Sequence, residues 1–377
     1  MVRGGRGAGA PVVIAGGGTA GHVLPAVAVA QALVARGRDP SAIRFVGSSR
    51  GLEARLVPAA GFAVTLLPGR GVLRRASAQT VAAVGGLTVA VVRAVALMAR
   101  WCPAAVLSVG GYAAVPCSVA ALVLRVPLVV AESNAVPGAT NRVAARWARA
   151  CAVAFAHTGL PRAVLTGNPV RAEVLAVDRA PDARAAARAA LGLPLGARVV
   201  AVTGGSLGAR RVNDAVIDLA RRWADRGDVA IHHVIGARDW AELGDAVGGR
   251  RPDGLWYQAV EYEDRVPALL AAADVWVGRA GGTTIAELTA VGVASVLVPL
   301  PIAPHDHQAV GARQLEAAGA CLVVLDADCT GERLAGVLGP LLHQRGALER
   351  MAGAAASIGH RDAADRVADL IDEHRRA

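Results

Sequence analysis

VVIAGGGTAGHVLPAV, residues 12–27, places a β-branched apolar run directly before Gly16-Gly17-Gly18-Thr19-Ala20-Gly21. Val12-Val13-Ile14 reads as a buried parallel strand. The glycines permit a tight turn and a close backbone approach, and Pro25 is expected in the first turn of the following helix. Amides at such a helix start attract an anion, usually a phosphate or diphosphate. Gly16, Gly18 and Gly21 also match the G-x-G-x-x-G spacing of dinucleotide-binding folds. The loop alone therefore leaves three readings open: a nicotinamide dinucleotide, another phosphate ligand, or a plain connecting turn.

The same grammar runs along the chain. Apolar strands are expected at Ile43–Val46, Val106–Val109, Leu128–Ala131 and Ala152–Phe155, alternating with helical segments, as in a doubly wound parallel sheet. LPRAVLTGNPVRAEV, from Leu160, holds two prolines and a Gly-Asn turn and reads as a linker. RVVAVTGGSLGARRVNDAV (198–216) then repeats strand, glycine loop and helix, and further strands are expected at Ala230–Ile235, Val275–Val277, Ser295–Val298 and Cys321–Val324. The expectation is an α/β protein with two Rossmann-like domains, 1–163 and 164–355, facing a cleft. A C-terminal helix, 356–377, is expected to pack back on the first domain. Ligands of such sheets bind at the carboxyl ends of the strands.

Composition bounds the partners. The chain has 377 residues, 54% hydrophobic and 19% charged, with a net charge of +10 carried by Arg with no Lys. That is a globular protein suited to anionic partners. Aromatics are only 3% and no RNA-binding motif occurs, so nucleic acid is not expected. Cys102, Cys117, Cys151, Cys321 and Cys329 form no C-x-x-C pair and read as reduced, buried thiols. The first apolar stretch breaks at three glycines, as a strand rather than a secretion signal. VAAVGGLTVAVV (81–92) is too short to span a bilayer. It reads either as a buried helix or, with Arg70, Arg74, Arg75 and Arg93 around it, as a basic apolar element docking on an anionic membrane face.

A NAD site would need a carboxylate about 20 residues beyond the glycines. The second strand instead runs into Gly47-Ser48-Ser49-Arg50, where Ser48 and Arg50 could hold the extra phosphate of NADP. That reading leaves the second half unexplained. VGRAGGTTIAELTAVGVASVLVPLPIAPHDHQAVGARQLEAAGA (277–320) ends a strand at Gly278 and opens a helix at Gly281-Gly282-Thr283-Thr284. Its amides and hydroxyls suit a diphosphate, and Glu287, expected in the first turn, could accept from ribose hydroxyls. After the next strand come Asp306, His307 and Gln308, whose amide could donate to and accept from sugar hydroxyls.

GGGTAGHVLPAVAVA, SVGGYAAVP (108–116), ESNAVPGATNR (132–142), TGNPVR (166–171), TGGSLGARRVN (203–213), RAGGTTIAE (279–287) and DHQ (306–308) follow one another in order. Over almost its whole length the chain thereby resembles the GT-B glycosyltransferases of family 28. These act in peptidoglycan synthesis, adding N-acetylglucosamine to a lipid-linked muramyl pentapeptide. The resemblance implies UDP-N-acetylglucosamine as donor. Thr19, Ala20 and Gly21 would lie by its sugar and phosphates, Asn134 by the sugar, and Arg171 and Ser206 by the diphosphate and nucleotide. Gly282, Thr283, Thr284, Ile285, Ala286 and Glu287 would hold phosphates and ribose, Gln308 the sugar hydroxyls, and the backbone around Glu263 the uracil. Gly110, Gly111 and Tyr112 would face the diphosphate of the acceptor, an undecaprenyl-linked muramyl pentapeptide. Ala131, Leu207 and Gly311 depart from the residues usual in the family (His, Gln and Asn), which bears on details of sugar and acceptor contacts.

The implied reaction joins the acceptor 4-hydroxyl to C1 of the donor sugar with inversion, and needs a base and a stabiliser of the leaving diphosphate. His22 is the first candidate base and Glu132 the second. Helix N-termini and Arg171 supply positive potential, so no metal or other cofactor is expected, and Asp326-Ala327-Asp328 reads as a turn rather than a metal-binding D-x-D. The enzyme is expected on the cytoplasmic membrane face, peripheral and without a membrane span. A GT-B enzyme acting on another glycolipid is one alternative, and an NADP-dependent oxidoreductase is another.

Overall fold

The computed structural model describes residues 9–49, 51–68, 78–205, 208–246 and 254–376, the side chains of 78–84 excepted. They form two compact units, residues 1–171 with 360–377, and residues 172–359.

In the first unit the chain runs through β1 (Val12–Ala15), α1 (Ala20–Ala35), β2 (Ile43–Ser48), α2 (Glu53–Ala59), β3 (Ala63–Leu67) and α3 (Ala78–Trp101). It continues through β4 (Ala105–Ser108), α4 (Ala114–Val123), β5 (Leu128–Glu132), α5 (Ala139–Ala144), β6 (Ala150–Val153) and β7 (Ala163–Leu165). All seven strands are parallel, in the order β3-β2-β1-β4-β5-β6-β7. The central strands are apolar on both faces because helices cover both: Val12, Val13, Val106, Leu107, Val129 and Val130 are wholly buried. Each such side chain contributes about 1.5–3 kcal/mol.

The second unit comprises α6 (Ala172–Leu175), α7 (Pro181–Ala190), β8 (Arg198–Thr203), α8 (Arg210–Arg222), β9 (Val229–Val234), α9 (Trp240–Leu243), β10 (Trp256–Val260) and α10 (Val266–Ala272). There follow β11 (Val275–Gly278), α11 (Gly282–Val291), β12 (Ala294–Leu297), α12 (His307–Ala317), β13 (Cys321–Val323), α13 (Gly331–His343) and α14 (Ala347–Ile358). Its six parallel strands are ordered β10-β9-β8-β11-β12-β13. The last helix, α15 (Ala363–His374), belongs to the first unit and packs on α1. Val367, Ala368 and Ile371 sink into the core beside Leu33, while Arg36 pairs with Asp365 and Asp369 at the surface. The apolar burial dominates, since exposed ion pairs contribute little.

Four expectations need correction. The stretch expected as linker contains β7, which pairs with β6, so the unit boundary falls at Arg171 rather than 163 and again at Gly359 rather than 355. Pro25 lies inside α1, not in its first turn. Cys102 is exposed, whereas the other four cysteines are buried. Strands β3 and β10 were not expected. They are short strands at sheet edges, and most of their residues stay exposed or half-buried.

Candidate active site

Strand order reverses between β1 and β4 in the first unit and between β8 and β11 in the second. At such a reversal the connections leave toward opposite faces, and a crevice opens at the carboxyl ends of the strands. The glycine loops after β1, β4, β8 and β11 lie at these two places.

In the first unit the loops after β1 and β4 touch backbone to backbone. A Cβ on Gly16 would stand 2.6 Å from the Gly110 carbonyl, and one on Gly111 2.5 Å from the Gly17 carbonyl. Gly110 and Gly111 take φ of +86° and +76°, which favours glycine. Tyr112 follows, and its buried hydroxyl has no partner among the described residues. Thr19 is the N-cap of α1 with Ala20 and Gly21 in the first turn, and its Oγ1 lies 3.1 Å from His22 Nδ1.

The sequence reading missed Glu53. This buried carboxylate accepts from the Gly18 amide (2.7 Å) and the Ser48 amide (2.6 Å). A Cβ on Gly17, Gly47 or Gly51 would collide with it. Three glycines thus make room for one internal anion at the end of β2, where a dinucleotide fold seats its ribose or 2′-phosphate. A carboxylate there opposes the NADP alternative; Arg50, its other support, lies outside the described residues. Gly47 and Gly51 flanking a serine were the signal available in the sequence.

Glu132 ends β5 and is buried. Its Oε1 accepts from the amide and Nδ2 of Asn134 (both 2.9 Å), and its Oε2 from the Gly138 amide and Asn141 Nδ2 (both 3.0 Å). Four donors engage the lone pairs of one carboxylate. The second candidate base is therefore an anchor for the 133–138 loop, holding Asn134 in place. Arg171, half-buried, ends the first unit's main segment.

In the second unit, Gly208 (φ +80°) lies so close to the chain after β9 that a Cβ would come within 2.3 Å of the Ile235 carbonyl. Ser206 and Leu207 lie outside the described residues. Helix α11 starts after Gly281 with no side-chain cap; Gly282, Thr283, Thr284 and Ala286 are half-buried and Ile285 is buried. Ile285 therefore presents only backbone to a ligand. Glu287 is half-buried and stands in the second turn of α11, not the first. Gln308 is oriented by the Leu300 amide, from which its Oε1 accepts at 3.0 Å; the NH2 and the second lone pair of Oε1 keep the capacity to donate and accept. Glu263, between β10 and α10, is buried and accepts from the Arg265 amide (2.8 Å) and Nε (3.0 Å). Burial works to raise its carboxyl, yet the Arg265 bonds and charge with nearby His232 carry it below the ordinary value.

The D-x-D segment forms a single short 3-10 turn, as expected of a turn. Asp326 bonds Arg279 at 2.6 Å, and Arg279 also donates to the Val298 and Pro299 carbonyls, tying the RAGG loop to the ends of β12 and β13. Among the described residues no group of three His, Cys, Asp or Glu side chains is placed to hold a metal ion.

Beneath the glycine loop of β8 runs a buried polar chain. Asn213 Nδ2 donates to the Ile235 carbonyl and to Asp239 Oδ2 (both 3.0 Å), so its Oδ1 must accept from His233 Nε2 (3.1 Å). That sets the tautomer, and His233 Nδ1 accepts from the Tyr257 hydroxyl at 2.8 Å. Burial, and then the neighbouring His232, lower the His233 pKa to about 3, so the ring is neutral.

Comparison with known proteins agrees with this layout. Residues 12–153 match the N-terminal domain model of glycosyltransferase family 28, and residues 199–367 match its C-terminal domain model. The UDP-N-acetylglucosamine--N-acetylmuramyl-(pentapeptide) pyrophosphoryl-undecaprenol N-acetylglucosamine transferase of Acidothermus cellulolyticus is 42% identical, over 96% of this chain and 97% of its own. The enzyme of the same name from Clavibacter sepedonicus is 43% identical, over 95% of both. A crystal structure of Acinetobacter baumannii MurG superposes with a TM-score of 0.73 at 28% identity, covering 96% of this chain and 98% of that one. A UDP-GlcNAc 2-epimerase from Neisseria meningitidis, bound to UDP-GlcNAc, shares the fold at 13% identity, with a TM-score of 0.67 and coverage of 96% and 99%.

Proposed function

The chain belongs to glycosyltransferase family 28, and we propose that it is the N-acetylglucosamine transferase of peptidoglycan synthesis. The donor is UDP-N-acetylglucosamine and the acceptor a muramyl pentapeptide on undecaprenyl diphosphate. The observation that carries this reading is one juxtaposition. The RAGGTTIAE helix start, the Gln308 loop and the loop beginning Thr203-Gly204-Gly205 sit at the carboxyl ends of β11, β12 and β8, three adjacent strands at one reversal of strand order. Near-full-length identity of 42–43% to transferases of that name supports it.

In the second unit, the amides of Gly282–Ala286 receive the donor diphosphate, Glu287 accepts from the ribose hydroxyls, the Gln308 NH2 donates to the sugar, and the Glu263 backbone lines the uracil. Ser206 and Arg171 add to the diphosphate site. In the first unit, Gly110, Gly111 and the Tyr112 hydroxyl meet the acceptor diphosphate, and Asn134, fixed by Glu132, meets the sugar, with Thr19, Ala20 and Gly21 near its phosphates. His22 is the base. In the tautomer that donates Nδ1–H to Thr19 Oγ1, 3.1 Å away, Nε2 is the basic nitrogen. The acceptor 4-hydroxyl gives its proton to Nε2 as its oxygen bonds C1. The bond from C1 to the β-phosphate oxygen breaks, its electron pair leaves with UDP, and the α-linkage becomes β. Amides at the α11 start stabilise the charge on the departing diphosphate.

A peripheral place on the cytoplasmic membrane face goes with this acceptor, whose lipid stays in the bilayer. No helix of the described residues is long and apolar enough to cross a membrane. Val92 of α3 is 63% exposed beside exposed Arg93, and Val123 of α4, which packs on α3, is 62% exposed. Apolar contact and attraction of Arg to anionic headgroups, about 1 kcal/mol each, combine at such a surface. Arg70, Arg74 and Arg75 lie outside the described residues.

Incubation with UDP-N-acetylglucosamine and the lipid-linked acceptor should release UDP and yield a β-linked disaccharide lipid. Release of UDP only with an unrelated glycolipid acceptor, or a thermal shift with NADPH and none with UDP-N-acetylglucosamine, would reject the reading.

A further inference from the structure

On the edge of the second unit's sheet opposite the glycine loops, at the amino-terminal ends of β8 and β11, lies a cavity of about 450 Å³. Arg179, Arg184, Arg188, Arg198, Asp274 and Glu349 line it, with Leu195, Leu348 and Ala352 as an apolar wall. Pockets for small ligands begin at roughly 300 Å³. Asp274 is buried and fully engaged: Oδ1 accepts from Arg184 (2.6 Å) and Arg198 (3.3 Å), and Oδ2 from Arg188 (2.7 Å) and the Val199 amide (2.7 Å). Arg179 and Arg188 direct further N–H groups at the carbonyls of Leu270, Ala272 and Ala273, which cap the end of α10.

Arg184 and Arg198 differ from that pair. Among the described residues each bonds only Asp274, through one terminal nitrogen, so the rest of each guanidinium fork has no protein acceptor. Four positive charges meet two negative ones around one cavity, and one of the carboxylates, Glu349, is exposed. The excess is felt within the cluster: burial, then the charge of Arg184, lower the Arg179 pKa to about 10. Guanidinium forks match phosphate oxygens in pairs, and an anion here would relieve the repulsion.

We propose that this arginine cluster is a second anion site, separate from the donor site, which takes a small soluble ligand bearing a phosphate or diphosphate. Inorganic pyrophosphate is the probe, titrated calorimetrically into protein saturated with UDP so that the donor site is filled. One further equivalent should bind. Arg198→Gln should weaken it about tenfold or more, the usual loss with a charged hydrogen bond, and leave UDP affinity and turnover without pyrophosphate unchanged. Glu349→Gln, an exposed substitution that keeps the fold, should tighten it. No binding in the presence of UDP would overturn the proposal. So would insensitivity to both substitutions, or equal displacement by sodium chloride at matched ionic strength. Binding only to phosphatidic acid vesicles, lost in Arg198→Gln, would overturn the assignment to a small soluble ligand.

Discussion

Two glycine loops of this chain look alike on paper and behave differently in space. The loop after β1 is closed on its own protein: Gly18 donates to Glu53, and Gly17 leaves no room for more than a hydrogen against that carboxylate. The loop before α11 is held differently, through the Arg279 side chain, which Asp326 binds at 2.6 Å. Gly281 leaves the helix uncapped by any side chain, and Gly282 to Thr284 remain half-buried. A glycine pattern announces close approach to an atom carrying negative charge. Whether that atom belongs to the protein or to a ligand depends on which other element reaches the loop.

The largest expected effect tests the closed loop. Gly17→Ala should lower stability by about 3 kcal/mol or more, because overpacking against Glu53 adds to the strain of a φ of +149°. Gly18→Ala meets nothing within 4 Å and should carry only the strain, about 1 kcal/mol. Urea unfolding compares them; equal losses would break the account of a filled loop. Next comes a pair. Glu53→Gln should lose about 1.5–3 kcal/mol of stability with UDP affinity intact. Glu287→Gln should weaken UDP binding about tenfold or more with the thermal midpoint intact. Calorimetry and thermal melts on both variants separate the roles, and a reversed pattern would dissolve the contrast.

Acid probes the second unit through His233. His233 titrates near 3 when folded and near its ordinary 6.5 when unfolded, so the unfolded chain binds the extra proton. Its contribution is complete above about pH 6.5 and falls as pH drops, by about 2 kcal/mol at pH 5. A His233→Gln variant, unfolded in urea at pH 5 and pH 7.5, should show less of that loss than the parent; an identical slope would remove His233 from it. The smallest effect concerns the loop before α11. Asp326→Asn frees Arg279 and should weaken UDP binding a few-fold, about 1 kcal/mol. Added magnesium should not restore it, and a chelator should leave parental turnover unchanged. Restoration by magnesium would make Asp326 a metal ligand rather than an anchor of the RAGG loop.

Much of this protein was readable before any coordinates. Buried parallel strands must be continuously apolar, and helix starts over phosphates need glycine, so β1, β4, β5, β8, β11 and β12 and the loops behind them are written in consecutive residues. The family motifs add the ligand chemistry. Edge strands β3, β7 and β10 were hidden because they are short and mostly exposed or half-buried, β7 spanning only three residues among prolines and glycine, which is how it passed for a linker. The remaining facts join residues far apart in the chain. Glu53 reaches Gly18 across 35 positions, Asp326 reaches Arg279 across 47, and Asp274 gathers arginines 76 to 90 positions away. Hydrogen-bond capacity is a property of a residue, but its use depends on neighbours that only folding supplies. Glu132 read as a base for that reason, until packing engaged its oxygens with Asn134, Gly138 and Asn141.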